Sequence, residues 1–334
     1  MGWTVDWKVY INGFDRSGDM KSFLMDISTT DKAGLTSDSC SLKFDDEAGQ
    51  VRLSRNDETV RVLLEGTQVF DGVISGVRSS GGRGSGHILT MTAKGVDLRG
   101  KAKQPQKYHM DDATAGDFLK KAAKLAGFDI DVHPDIASVK RDYWANDRQS
   151  FLQLGEHMAK ELGGTFKARG KNAVLVPLGF DLGLPTIQGV VGRNVISWDI
   201  APDLGRARFS GGAIDYLDRK TGKIESLETE YDQGPSKAEA IETGRALAVN
   251  KDHAQQVAKG RKAQAERKGG SGSATLDITP QAQAEGLFVL SGARAGIDGQ
   301  YKMTSVTHKA SRSSGATTSL QLEQPDGKAG KDGR

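Results

Sequence analysis

Between Leu287 and Gln324 apolar and polar residues take turns with a period of two. That period demands extended backbone, because successive side chains of a strand leave opposite faces. Leu287 to Leu290 is a short apolar run, and Thr318, Leu320 and Leu322 alternate with Ser319, Gln321 and Glu323. Asp298-Gly299 lies between them and suits the φ > 0 angles of a tight turn. The stretch predicts a three-stranded meander with one apolar face and one wet face. Its Tyr301 and His308 fall within the strands. The same period fills the first hundred residues: Val5, Trp7, Val9 and Ile11; Phe23, Met25 and Ile27; Cys40, Leu42 and Phe44; Val60, Val62 and Leu64. Two more strands, Phe70 to Val77 and Ile88 to Val96, flank SSGGRGSG, which reads as a hairpin tip. The 42 glycines against 8 prolines fit a chain of short strands and many turns.

The middle of the chain changes character. Thr114-Ala-Gly-Asp117 resembles a capping box ahead of FLKKAAKLA, with Gly127 as the stop and Phe118, Ala122 and Leu125 on one face. Ser150 with Gln153 caps a second helix, whose Phe151, Leu154, Met158 and Leu162 form an apolar stripe that ends at Gly163-Gly164. TFKAR, a turn at Gly170 to Asn172, and AVLVP predict a hairpin. Strands resume at Val195, with Ile196, Trp198 and Ile200 on one side, and continue through Arg206 to Tyr216 and Lys223 to Tyr231. Ser236 with Glu239 is a further capping signal and predicts a helix over 236–268, about 45 to 50 Å long at about 1.5 Å per residue. It is poor in large apolar residues and weakened by Gly244 and Gly260, so it should be peripheral and fray near KGGSGSA. The fold class is therefore β-rich α+β. Two small barrel-like β domains, 1–107 and 190–325, flank an α/β insert over 108–189, and 326–334 is a disordered tail.

Catalytic constellations are missing from this pattern. Hydrophobic residues make up 37% and aromatic residues 6% of the 334 positions, low for a large single-core enzyme. His157 and Glu161 share a helix face, but one pair is no zinc site, and HExxH does not occur. His109-Met110-Asp111-Asp112 precedes a helix start, where carboxylates are explained by capping and the macrodipole. The glycines of GGRGSG lead into a strand, so no helix N-terminus is there to hold phosphate. No catalytic, cofactor-binding or metal-binding residue is assigned, and no cofactor. The single cysteine, Cys40, shares a strand face with Leu42 and Phe44 and reads as a buried structural thiol. The net charge of +3 asks for no nucleic-acid partner. Lys259, Arg261, Lys262, Arg267 and Lys268 lack interleaved aromatics and read as a solvated helix face. No run approaches a membrane span and MGWTVDWKVY lacks a signal-peptide pattern, so a soluble product of the cytoplasm is expected.

Several segments, in a specific order, carry a resemblance. GARAGIDGQYKMTSVTH followed by TTSLQLE, DFLKKAAKLAG, DYWANDRQSFLQLGEHMAKELGGTFKARGKNAVLVP, and a charged helix opening on SKAEA together resemble the late control gene D family of phage tail proteins. Tyr143, Trp144, Asp147, Ser150, Phe151, Leu154, Ala159 and Gly163 occupy the matching positions of the third segment. The resemblance spans most of the chain and is related to the hub part of type VI secretion spike proteins. It implies a baseplate hub of contractile tails: a homotrimer whose six similar modules adapt a sixfold tail tube to a threefold tail spike. Implied partners are the spike protein, the tube protein, the tape-measure protein and other baseplate proteins. The implied location is the virion tail, assembled in the bacterial host cytoplasm. No wall-degrading segment is appended. A peptidoglycan-binding, LysM-like module or wall hydrolase of the tail tip is the alternative reading, and a DNA-binding tail component is weaker.

Overall fold

Each alternating segment of the first hundred residues forms a strand whose apolar side chains share one face. The computed structural model describes residues 2–34, 38–55, 57–84, 86–202, 209–218, 220–231, 239–244, 247–326 and 329–330. Strands β1 (Trp7–Ile11), β2 (Phe14–Asp15), β3 (Leu24–Lys32), β4 (Ser39–Asp45), β5 (Thr59–Leu64), β6 (Thr67–Gly82) and β7 (Gly86–Lys94) surround a core that includes Val9, Leu42, Phe44, Val62 and Leu89. A one-turn helix, α1 (Ser17–Met20), lies between β2 and β3. The glycine-rich segment is a hairpin tip, with Gly82 opposite Gly86.

The insert begins with β8 (Lys107–Thr114) and α2 (Ala115–Ala126), then β9 (Asp129–Val132), α3 (Pro134–Ala137), β10 (Lys140–Asp147) and α4 (Phe151–Glu161). Thr114 caps α2 by accepting the Asp117 amide at 3.1 Å, and Gly127 ends it at φ 75°. Ser150 and Gln153 form a full capping box on α4. Leu125 departs from expectation and is 51% exposed, because the buried arc of α2 centres on Phe118, Leu119, Ala122 and Ala126. Asp111 and Asp112 also differ: they sit in β8, paired with β10, and the helix is capped by Thr114 instead. The hairpin β11 (Gly164–Arg169) and β12 (Asn172–Pro177) closes the unit, with β9 parallel to β12.

The remainder supplies β13 (Ile187–Val190), β14 (Val195–Ala201), β15 (Gly211–Asp218), β16 (Lys223–Glu230), β17 (Ile241–Thr243), α5 (Lys251–Arg267), β18 (Ser271–Asp277), β19 (Leu287–Ser291), β20 (Gly299–Ser311) and β21 (Gly315–Asp326). Arg206, expected to open the strand now seen as β15, lies outside the described residues.

The helix expected over 236–268 is shorter. Ser236 lies outside the described residues, Ile241–Thr243 is a strand beside β15, and Asn250 caps α5 by accepting the His253 amide at 2.9 Å. Ile241 and Thr243 are β-branched and Gly244 follows them, so local preference favours extended chain before Asn250. Nor is α5 peripheral, since it buries His253, Ala254, Gln256, Ala258, Gly260 and Arg267. The expected tail also begins later: Asp326 closes β21 and Ala329 is buried in the second core, while 327–328 and 331–334 lie outside the described residues.

The two β modules are not separate sheets. One sheet of 13 strands runs β14-β18-β21-β20-β3-β4-β7-β6-β5-β1-β2, with β13 and β19 attached beside β20. Antiparallel pairing of β20 with β3, from Ser305 opposite Lys32 to Ser311 opposite Asp26, welds the modules edge to edge. Sequence patterning marked β3 and β20 as strands but carried no information about this long-range neighbour.

Candidate functional site

The motif positions singled out in sequence resolve into two structural groups. Trp144 is buried, stacks on Phe118 at 5.4 Å and donates its indole N–H to the Ala113 carbonyl at 3.0 Å. Tyr143, next along the strand, points outward and is 59% exposed. Asp147 ends β10 opposite Lys107 and is exposed. Phe151 and Leu154 belong to the insert core.

Gly163, at φ 65°, touches α5: a Cβ on it would lie 2.2 Å from the Gly260 Cα. Glycine at both positions lets the two backbones meet, which explains a helix glycine that propensity alone disfavours. In the second group, Asp298 and Gly299 do not form the tight turn. The positive φ angles fall at Gly292 and Gly296, and the Asp298 carboxylate accepts the amides of Gly292, Ala293 and Arg294 at 2.8 to 3.3 Å. Gly299 instead lets the C-terminal segment approach, since a Cβ there would meet the Ala329 nitrogen at 2.5 Å. Tyr301 donates to the Ile297 carbonyl at 2.5 Å, and burial pushes its pKa up to about 12. His308 is buried against Thr318 at 3.0 Å, and desolvation lowers its pKa to about 4. These positions support packing and caps, and they do not converge on one cleft.

Charged residues missed in sequence tie the three units together. Arg169 on β11 gives two hydrogen bonds to Asp38, at 2.8 and 3.1 Å, while Lys167 bridges Asp31 and Asp38. The other Asp31 oxygen accepts the Ala284 amide at 2.9 Å, so first module, insert and second module meet here. Burial raises the Asp31 pKa, offset only in part by Lys167. For Asp38 burial acts the same way, but Lys167 and Arg169 outweigh it and hold the carboxyl below its ordinary value. Arg141 reaches Glu161 at 2.6 Å and His253 at 2.8 Å, and desolvation followed by repulsion from Arg141 lowers the His253 pKa to about 4. Arg267, read in sequence as part of a solvated helix face, is instead buried and binds Glu285 at 3.0 Å and Glu323 at 3.2 Å. Among the described residues no group of three or more His, Cys, Asp or Glu could hold a metal. The Cys40 thiol is buried, which pushes its pKa to about 12 and leaves it protonated.

What remains open to a partner is sheet surface and sheet edge. One row of paired residues crosses seven strands on a single face: Ser197, Thr275, Ser319, Thr307, Thr30, Ser39 and Lys94. The opposite face carries Leu320, Val306 and Leu42 into the cores. The wet face is thus paved with short hydroxyl side chains, some bonded across strands, as Thr30 to Thr307 at 3.1 Å. Strand β14 ends the strand order, paired with β18 and bridged to Val191 at Val195, and exposes Ile196 and Trp198. Strand β6 carries β5 along Thr67–Val73 and β7 along Val73–Gly82, so its second half has no further strand on its other side among those described. Strand edges of this kind are templates for strand addition.

In sequence the chain is 25% identical over 164 residues to the probable baseplate hub protein of Escherichia phage P2, covering 48% of this chain and 42% of that protein. It is 22% identical over 248 residues to the corresponding protein of Escherichia phage 186, covering 72% of this chain and 64% of that one. The chain is thus similar in sequence to phage baseplate hub proteins. The match spans less than two thirds of either hub protein. No family model matches the chain. In fold it is similar to the 43 kDa tail protein of prophage MuSo2 from Shewanella oneidensis, with TM-score 0.70 and 13% identity over 96% of this chain and 98% of that one. It is also similar to the c3393 protein of E. coli, a type VI secretion component, with TM-score 0.57 and 10% identity over 98% of this chain and 79% of that one.

Proposed function

We propose that the chain is a structural, non-enzymatic baseplate hub protein of a contractile phage tail or tail-like particle. In this reading three copies form a ring that joins the tail tube to the central spike, within the virion tail. The observation that carries it is the β20–β3 weld. It places two four-stranded antiparallel units, β14-β18-β21-β20 and β3-β4-β7-β6, side by side in one chain. Three such chains present six similar units, which is what an adaptor between sixfold and threefold symmetry requires. Residues 1–107 and 190–325 are the two tube-type domains of this reading, and 108–189 is the insert.

Native mass of the purified protein, alone and with its candidate spike, tests the proposal. A trimer that captures the spike supports it. A strict monomer that captures neither spike nor tube subunits overturns it. A wall-binding role keeps one point in its favour, because β8 and β10 pair antiparallel around α2 and α3, as a small LysM-like sugar binder would. Pull-down with purified cell wall and loss of turbidity in wall suspensions measure that alternative. Absence of both retires it.

A further inference from the structure

We propose that Lys167 and Asp31 condense into an amide, a covalent cross-link that welds the insert to the first β module, with Asp38 moving the protons. The cross-link belongs to the single chain and does not depend on how copies assemble.

Lys167 on β11 lies 136 residues from Asp31 on β3, yet folding presses its ammonium against Oδ1 of that carboxylate. The same nitrogen stands 3.1 Å from Oδ1 of Asp38. The second Asp31 oxygen, Oδ2, accepts the Ala284 amide at 2.9 Å. Asp31 and Asp38 are buried, at 9% and 5% exposure. Burial raises the Asp31 pKa and so favours a proton there. Burial pulls Asp38 the same way, but Lys167 and Arg169 outweigh it and keep that carboxylate charged. Amide formation needs an amine nucleophile, a carboxyl electrophile, a base, and a donor where the oxyanion develops. All four stand here in contact, which supplies the placement that separate molecules in water lack.

The step balances within the cluster. Asp38 accepts one proton from the Lys167 ammonium and passes it to Oδ1 of Asp31, leaving a neutral amine beside a neutral carboxylic acid. Desolvation favours that neutral pair over two buried charges. The Nζ lone pair then attacks Cγ of Asp31 and forms the C–N bond, while the C=O π electrons move onto Oδ2 beside the Ala284 N–H. Asp38 takes a proton from the nitrogen and hands it to the departing Oδ1. As the C=O re-forms, the Cγ–Oδ1 bond breaks and one water leaves. Asp38 ends as it began, held by two hydrogen bonds from Arg169 at 2.8 and 3.1 Å. The product keeps one N–H, and the Lys32 carbonyl, which accepts from Nζ at 3.0 Å, is placed to receive it. The ion cluster is thus the precursor, and the amide removes the two charges that burial penalises most.

Mass spectrometry of the full-length chain, folded, aged and then denatured, tests the proposal. The parent should weigh one water less than its sequence, and digestion should release a branched peptide joining the segments of Asp31 and Lys167. Lys167→Arg keeps a cation at the site and should restore the full mass. Asp38→Asn should slow cross-linking about tenfold or more, since the base is gone. Circular dichroism checks that both variants fold, and if either does not, the parent's mass and branched peptide decide alone. A folded parent that keeps its full sequence mass overturns the proposal. So does a lost water that persists in Lys167→Arg, which is the mark of a cyclised Asp-Gly such as Asp298-Gly299. Cross-linking at the parent's rate in a folded Asp38→Asn chain overturns the role given to Asp38.

Discussion

Two buried histidines set an acid limit on stability. The pKa values of His253 and His308 are each lowered to about 4, chiefly by desolvation. The unfolded chain therefore binds protons that the folded chain refuses between the ordinary histidine value near 6.5 and about 4. Their contribution is fully present above pH 6.5 or so and is lost as pH falls to about 4. Melting temperature should decline through that window, and His308→Gln should flatten the decline without shifting its position. A flat profile between pH 7 and 4 would contradict the burial argument. Gly163 and Gly260 define a second limit at this scale. Gly260→Ala puts a methyl within 2.1 Å of the Gly163 Cα, so α5 must move away from the insert. A loss of about 1 to 3 kcal/mol in denaturant unfolding is expected, where an ordinary helix Gly→Ala would gain.

At the scale of elements, α5 is held by ends and contacts more than by its own apolar face. Its buried residues are mostly small or polar, so the Asn250 cap and the ion pairs carry much of its placement. Asn250→Ala should cost about 0.5 to 2 kcal/mol. The Asp31–Asp38–Lys167–Arg169 cluster holds the insert against both β modules in a similar way. Removing Arg169 leaves two buried carboxylates to Lys167 alone, so Arg169→Ala should cost about 1 to 3 kcal/mol, less than the roughly 3 to 5 of a fully buried pair because its side chain is 47% exposed. Replacing Arg169 and Asp38 together should cost less than the sum of the two single changes, as a double-mutant cycle would record.

On the scale of the whole molecule, the single sheet makes the two β modules one cooperative body. Calorimetry should therefore show both modules unfolding in one transition, even though β3 ends at Lys32 and β20 begins only at Gly299. Two separated transitions with module-sized enthalpies would argue that the β20–β3 weld is weak. Much of this was legible in the chain itself. Alternation at Val9, Leu42, Val62 and Leu320 specified strands and their core faces, because a period of two permits no other backbone. Thr114, Gly127 and Ser150 marked helix ends, because orphan amides and carbonyls accept only a few local partners. The ordered soft motifs gave the hub resemblance. Sequence could not say that Gly260 meets Gly163, that Lys167 neutralises Asp31 and Asp38, or that β20 lies beside β3. Each of those is a contact between distant segments, and local preference is blind to the neighbour. The chain alone determined many of its strands and helix caps and their wet and dry faces; only tertiary structure decided the remaining strands, which edges join and which stay open, because an edge is satisfied by whatever backbone folding brings beside it.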